Sequence, residues 1–215
     1  MNLVLTEGTV TVGKLRAYLE REERFHALVA KQAGTRAIIT FRSLGNPMRF
    51  GRAAFVESAA ALNTTLESPA FEAFMADNPL AGLVTPTRPP LEVYELAAET
   101  GRAAMALEAG MPAVLVDWTL GSAAAAGPFE SSRRELFELR QKHDRAFVRS
   151  SLYRYLGSPG RYLVAHSASG RELSAEWLRT PEVQAFQDAH PLASYGATTA
   201  SAANVYEIVK VTRPA

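Results

Sequence analysis

The chain has 215 residues, 47% of them hydrophobic, with 23 Lys plus Arg against 22 Asp plus Glu, a formal charge of +1, and no cysteine. That length supports a buried core of one or two domains, and the balanced charge supplies no basic field to gather a phosphate backbone, so no nucleic acid partner is expected. Without cysteine there are no disulfides, iron–sulfur clusters or thiolate zinc sites; with no basic-then-apolar leader and no run of 18 apolar residues, a cytoplasmic protein without a membrane partner is expected.

In chain order, Leu3 to Val10 reads as a short β-branched strand. A helix is expected from Lys14 to about Ala33, where Leu15, Tyr18, Leu19, Glu22, Phe25, His26 and Val29 share one face, so that an apolar stripe carries a carboxylate and an imidazole. Gly34 ends it. Arg36–Leu44 and Met48–Val56 form a hairpin around Gly45-Asn46-Pro47, where Gly accepts positive φ and Pro fixes φ. The helical stretch from Ser58 breaks at Ser68-Pro69, a cap followed by a first-turn proline, and a short helix then runs to about Asp77. Asn78-Pro79 opens a loop rich in Pro and Thr, and Leu91–Leu96 is the next strand. The expected domains are residues 1–98 and 113–215, with 99–112 as linker. In the second, Ala113–Leu120 is a strand and GSAAAAGPFE a loop. Ser132 and Glu135 form a capping box before the helical face of Leu136, Leu139, His143, Ala146 and Phe147. A second hairpin, a second capping box at Ser169 and Glu172, a break at Thr180-Pro181 and a last strand over Asn204–Val211 complete the chain.

The second half repeats the first. FRSLGNPMRFGRAAFV at Phe41 returns as YRYLGSPGRYLVAHSA at Tyr153, a displacement of 112 that also carries SPAFEAF onto TPEVQAF, NPLA onto HPLA and VYEL onto VYEI. Each copy reads β-α-β-β-α-β, the ferredoxin-like α+β arrangement of a four-stranded antiparallel sheet with both helices on one face. Two copies can cover each other's bare sheet faces and pair edges, so these tandem repeats are expected to form an intrachain α/β barrel. Within the first helix a displacement of 117 would set His143 against His26.

The LG-x-P hairpin with its aromatic strand (LGSPGRYLVAH), the helix broken at Thr-Pro (RTPEVQAF), the following HPL and the terminal VYEIV strand resemble the dimeric α/β-barrel superfamily, and within it the antibiotic biosynthesis monooxygenase domain family. The resemblance covers nearly the whole chain as two fused copies. It implies an oxidoreductase of the group that works without metal or flavin on phenolic polyketides or quinols. Such an enzyme needs a pocket that binds a small aromatic molecule, orients or deprotonates its hydroxyl and excludes water while dioxygen reacts. No cofactor is thereby implied. Haem stays open, because some barrels of the superfamily bind or degrade it, and so does a non-catalytic small-molecule-binding or scaffold role.

At positions 112 apart, Thr6, Phe41, Phe50, Ala54 and Leu83 face Trp118, Tyr153, Tyr162, His166 and Tyr195. Groups able to stack, hydrogen-bond or move a proton thus gather in the second copy. The expected pocket lies there, between the first helix and the sheet, with His143 or His166 as base and Trp118, Tyr153, Tyr162 and Tyr206 as walls and hydrogen-bond partners. The competing reading is structural: aromatic residues in strands are ordinary core, and a single histidine on an apolar helix face is usually buried and bonded. Arg42 and Arg49, like Arg154 and Arg161, are equidistant from a hairpin tip, and Glu95 and Glu207 are the acids expected to neutralise them as an ion-pair cluster. GTVTVGKL imitates a P-loop but has Leu15 where a magnesium-binding hydroxyl is required, and the four histidines lack metal-ligand spacing.

Overall fold

The computed structural model describes residues 1–77, 80–89, 91–102, 106–170, 174–199 and 203–214. Asn78, Pro79, Glu172 and linker residues 103–105 therefore lie outside the described residues. The chain is α+β, with ten strands and five α-helices among them. In order these are β1 (Asn2–Val10), α1 (Leu15–Val29), β2 (Thr35–Ser43), β3 (Arg49–Val56), α2 (Ala59–Leu66), α3 (Pro69–Asp77), β4 (Val84–Pro86), β5 (Glu92–Gly101), β6 (Pro112–Thr119), α4 (Ala126–His143), β7 (Phe147–Tyr155), β8 (Arg161–Ala168), α5 (Pro181–Ala189), β9 (Thr198–Thr199) and β10 (Asn204–Thr212). It divides into two compact units, Met1–Val93 with Ile208–Ala215, and Tyr94–Glu207. The chain passes from one to the other inside β5 and again inside β10. Residues 99–101, expected in a linker, belong to β5.

In the first unit β3 lies between β1 and β2, antiparallel to both, with β4 on the far side of β1 and the C-terminal part of β10 beside β2. Helix α1 buries Tyr18, Arg21, Glu22, Phe25, His26 and Val29. Tyr18 packs with Val10 and Phe50, and Phe25 and Val29 pack with Ile38 and α3 residues Phe71 and Phe74. Gly34 takes φ +80° after α1, where a side chain would be strained and its Cβ would also come within 2.5 Å of Ala61. Ser58 and Ser68 accept from the backbone N–H groups of Ala61 and Phe71, so the helical break comes from a second cap followed by Pro69.

The second unit orders its strands β5-β7-β8-β6, with β9 and the first residues of β10 pairing with β6. Helix α4 begins six residues before the expected capping box, because Ala123–Ala125 already turn and Pro128 sits in the first helical turn, where a missing N–H costs nothing. Ser132 lies inside the helix and donates its hydroxyl to the Phe129 carbonyl. The buried positions of α4 are Phe129, Ser132, Arg133, Leu136, Phe137 and Arg140, each 111 residues beyond its counterpart in α1, as in 137 − 26 = 111. Phe137, not His143, therefore corresponds to His26.

Strand registers fix the remaining correspondences. Ile38 faces Ala54 and Thr40 faces Arg52 in the first unit, while Ser150 faces His166 and Leu152 faces Val164 in the second, so both hairpin strands keep the displacement of 112. In the first strands Thr6 faces Arg52 whereas Val116 faces Val164, a displacement of 116 − 6 = 110. Trp118 thus corresponds to Gly8 and Val116 to Thr6. Ion pairs agree, since Arg49 binds Glu7 at 2.7 Å and Arg161 lies 3.6 Å from Asp117. The expected acid Glu95 does reach Arg154, at 3.2 Å, but Glu130 binds the same guanidinium at 2.7 Å.

Candidate ligand-binding site

The sequence-derived site residues of the second unit are spread over several environments. Trp118 and Tyr162 belong to one apolar cluster with Phe129, Phe137, Leu152 and Val164. Tyr162 is fully buried and donates to Glu130 at 2.7 Å; burial and that carboxylate push its hydroxyl up to about 12. His166 meets the edge of Phe137 and bonds Ser150 through Nδ1 at 2.8 Å, and burial together with Arg140 and Arg133 pushes it down to about 3. Tyr153 is buried and accepts from Arg149, which also binds Glu99. Tyr206 is buried on β10. His143 ends α4 and shares Glu182 with Lys142 in a partly exposed group, at 2.9 Å from the carboxylate. The structure therefore sets Trp118 opposite Tyr162, places His166 against Phe137 of the same cluster, and leaves His143 apart.

The first unit holds a cavity of about 240 Å³ under α1, walled by Val4 on β1, Phe25 and Val29 on α1, Ala54 and Val56 on β3, Leu62 and Leu66 on α2, and Phe71 and Met75 on α3. An adjoining hollow of about 90 Å³ shares Thr6, Arg52 and Leu80 with it and reaches Glu7, Tyr18, Glu22 and Arg88. None of the six sequence-derived residues lines either one.

The polar lining of the larger cavity is Thr6, Arg21, Arg52 and Thr65. Behind it one carboxylate oxygen, Glu22 Oε1, accepts from Arg52 at 3.0 Å and from Arg21 at 3.5 Å. Arg52 also lies over the Phe25 ring, 3.5 Å from its centroid, and Arg21 reaches Met75 Sδ at 3.5 Å. From Glu22 a chain of hydroxyls runs inward: Thr40 donates to Oε2 at 3.4 Å, His26 Nε2 lies 2.8 Å from Thr40, and Nδ1 lies 2.8 Å from Thr212. With Thr40 donating to Glu22, its oxygen accepts from His26 Nε2–H, and Nδ1 accepts from Thr212. Burial, with help from Lys210 and Arg52, pushes the imidazole down to about 4, so it is neutral at pH 7.

A set of four correspondences separates the two units. Thr6, His26, Thr40 and Arg52 are polar, and their counterparts Val116, Phe137, Leu152 and Val164 pack as a single apolar cluster. The sequence did carry a signal, Glu22 and His26 on an apolar helix face; Arg21 and Arg52 escaped it.

No family model and no curated protein matches the sequence. Solved structures do. A candidate monooxygenase of Fusobacterium nucleatum, 8% identical, superposes with a TM-score of 0.74 over 99% of this chain and 94% of its own. A second candidate monooxygenase, from Lactobacillus acidophilus, is 10% identical with a TM-score of 0.68 over 99% and 96%. An anthrone oxidase-like protein is 12% identical with a TM-score of 0.64 over 99% and 92%. The chain shares their fold. No described helix is long and apolar enough to cross a membrane.

The two cavities do not fit haem with a histidine ligand, since no imidazole lines either and both ring nitrogens of His26 are engaged by hydroxyls. Among the described residues no group of three or more His, Asp or Glu side chains is placed to hold a metal ion.

Proposed function

We propose that the chain is two fused ferredoxin-like copies of which the first carries the working site, and that it is a monooxygenase-like enzyme using dioxygen without a bound cofactor on a small phenol or quinol. The observation that carries this reading is the cavity beside Thr6, Glu22, Thr40, His26 and Arg52, at a place where four of the corresponding residues of the other copy, Val116, Phe137, Leu152 and Val164, pack as one apolar cluster. Buried polar groups cost stability unless bonded, and a packed interior tolerates few voids. A cavity kept next to such a network is therefore expected to serve a ligand.

The walls suit a flat apolar body, with Phe25 and Phe71 presenting ring surfaces and Arg52 placed to take a hydroxyl. A cavity of about 150 Å³ holds benzene, so 240 Å³ suits one or two rings. For a substrate whose ring CH₂ is activated by flanking phenols, the two hydrogens leave the carbon. One atom of dioxygen becomes the carbonyl oxygen, and the other departs with those hydrogens as water. The names of the similar structures support this class.

Oxygen uptake by the isolated protein with a panel of phenols, hydroquinones and anthrones tests the reading. Uptake of one dioxygen per substrate oxidised, lost in Arg52→Leu, is expected. Absence of substrate-dependent uptake across the panel by the folded protein overturns it.

A further inference from the structure

We infer that the first-unit cavity takes its aromatic ligand as an anion, a carboxylate or phenolate clamped by Arg21 and Arg52. This rests on the cavity being a binding site and not on any oxidation taking place there.

Among the described residues the larger cavity is lined by two guanidinium groups and two hydroxyls, and by no carboxylate. The nearest acid, Glu22, stands behind the arginines and gives a single oxygen to both. The groups that act electrostatically on Arg21 are Glu22, Arg52, Tyr18 and Arg24. Tyr18 is a phenol that burial and Glu22 hold above its usual value, hence neutral, and Arg24 is exposed to solvent. Arg21 is 1% exposed and Arg52 is 12% exposed at the side chain, which leaves little water to screen their repulsion. Burial and Arg52 both pull Arg21 below its ordinary value. An anion in the cavity would meet two buried donors, and charge-assisted hydrogen bonds to such donors are strong. The same geometry favours the ionised form of a bound phenol over the neutral one. Glu22 limits the field, so removing its charge should strengthen the preference.

The corresponding positions of the second unit make the contrast. Arg21 becomes Ser132 and Arg52 becomes Val164, so the clamp exists once among these positions.

The test compares 2-naphthoate with its neutral isostere 2-naphthamide by fluorescence titration at pH 7, and follows the absorption of bound 2-naphthol. Binding of naphthoate about tenfold or more tighter than naphthamide is expected, as is the naphtholate spectrum for bound naphthol. Arg52→Gln should bring the naphthoate-to-naphthamide ratio close to one while naphthamide still binds. Glu22→Gln should widen the ratio, and Arg154→Gln should leave it unchanged. Equal affinities in the unmodified protein, or naphthol bound in its neutral form, overturn the inference without any variant having to fold. Anion preference without oxygen uptake would sink the monooxygenase reading alone, and uptake without anion preference would sink the clamp alone.

Discussion

His26 and Trp118 illustrate what a single residue discloses. An apolar helix face interrupted by Glu22 and His26 was readable from spacing alone, and both prove buried, at 4% and 1% exposure. Arg52 was not readable, because alternation in a strand identifies two faces without saying which meets the helix. One of the aromatic gains in the second half was mispaired for a related reason: at a displacement of 112 Trp118 falls on Thr6, whereas strand pairing sets it against Gly8, at which a Cβ would lie 2.2 Å from Val84. A drift of one residue before the helix and another after it is invisible without the ladder. His26 yields a prediction. Its unfolded value is about 6.5 and its folded value about 4, so below pH 6.5 the unfolded chain binds a proton that the native state refuses. The neutral imidazole's contribution is complete above pH 6.5 and is lost as pH falls toward 4, by up to about 1.4 kcal/mol per pH unit. Denaturant midpoints measured across that window should fall less steeply in His26→Gln; identical slopes in the two proteins would contradict the assignment.

At the scale of elements, helices were legible where caps and glycines stood alone and misread where they conflicted. Ser68-Pro69, a cap followed by a first-turn proline, does start α3. Gly127-Pro128 suppressed the four alanines before it, although alanine is the strongest helix former and a first-turn proline is harmless. Starting α4 at Ala126 turns Phe137 inward to the place that His143 was expected to hold and leaves His143 as the last helical residue. There it meets Glu182, itself 48% exposed, across the gap between α4 and α5. Such pairs contribute about 0–1 kcal/mol. His143→Ala should therefore change the unfolding free energy by less than about 1 kcal/mol and leave naphthoate affinity unaltered. A loss of binding in that variant would return the site to the second unit.

For the whole molecule, the sequence displacement of 112 gave no sign of where each compact unit ends. A repeat marks equivalent segments and says nothing about which unit a strand completes; that is decided by pairing, and pairing assigns Ile208–Ala215 to the first unit. These residues supply the strand beside β2, the buried Ile208, the Lys210 partner of Glu23 and the Thr212 hydroxyl on His26. A chain ending at residue 207 should unfold at markedly lower denaturant and bind naphthoate at least tenfold more weakly. A truncated protein with the full-length midpoint and affinity would show these contacts to be dispensable.

The placement of Thr212 also bears on biosynthesis. Two-domain chains ordinarily fold their first domain while the ribosome is still making the second, which shortens the time that hydrophobic surface is exposed. Here the unit translated first waits on a segment made after the whole of the second, since the Thr212 hydroxyl that bonds His26 follows residues 94–207 in the chain. Until then the nascent first unit has an uncovered strand and an imidazole without its second partner, a state with which chaperones would be expected to deal. Any mutation that slows completion of β10 should reduce the yield of soluble protein more than it reduces the stability of protein already folded.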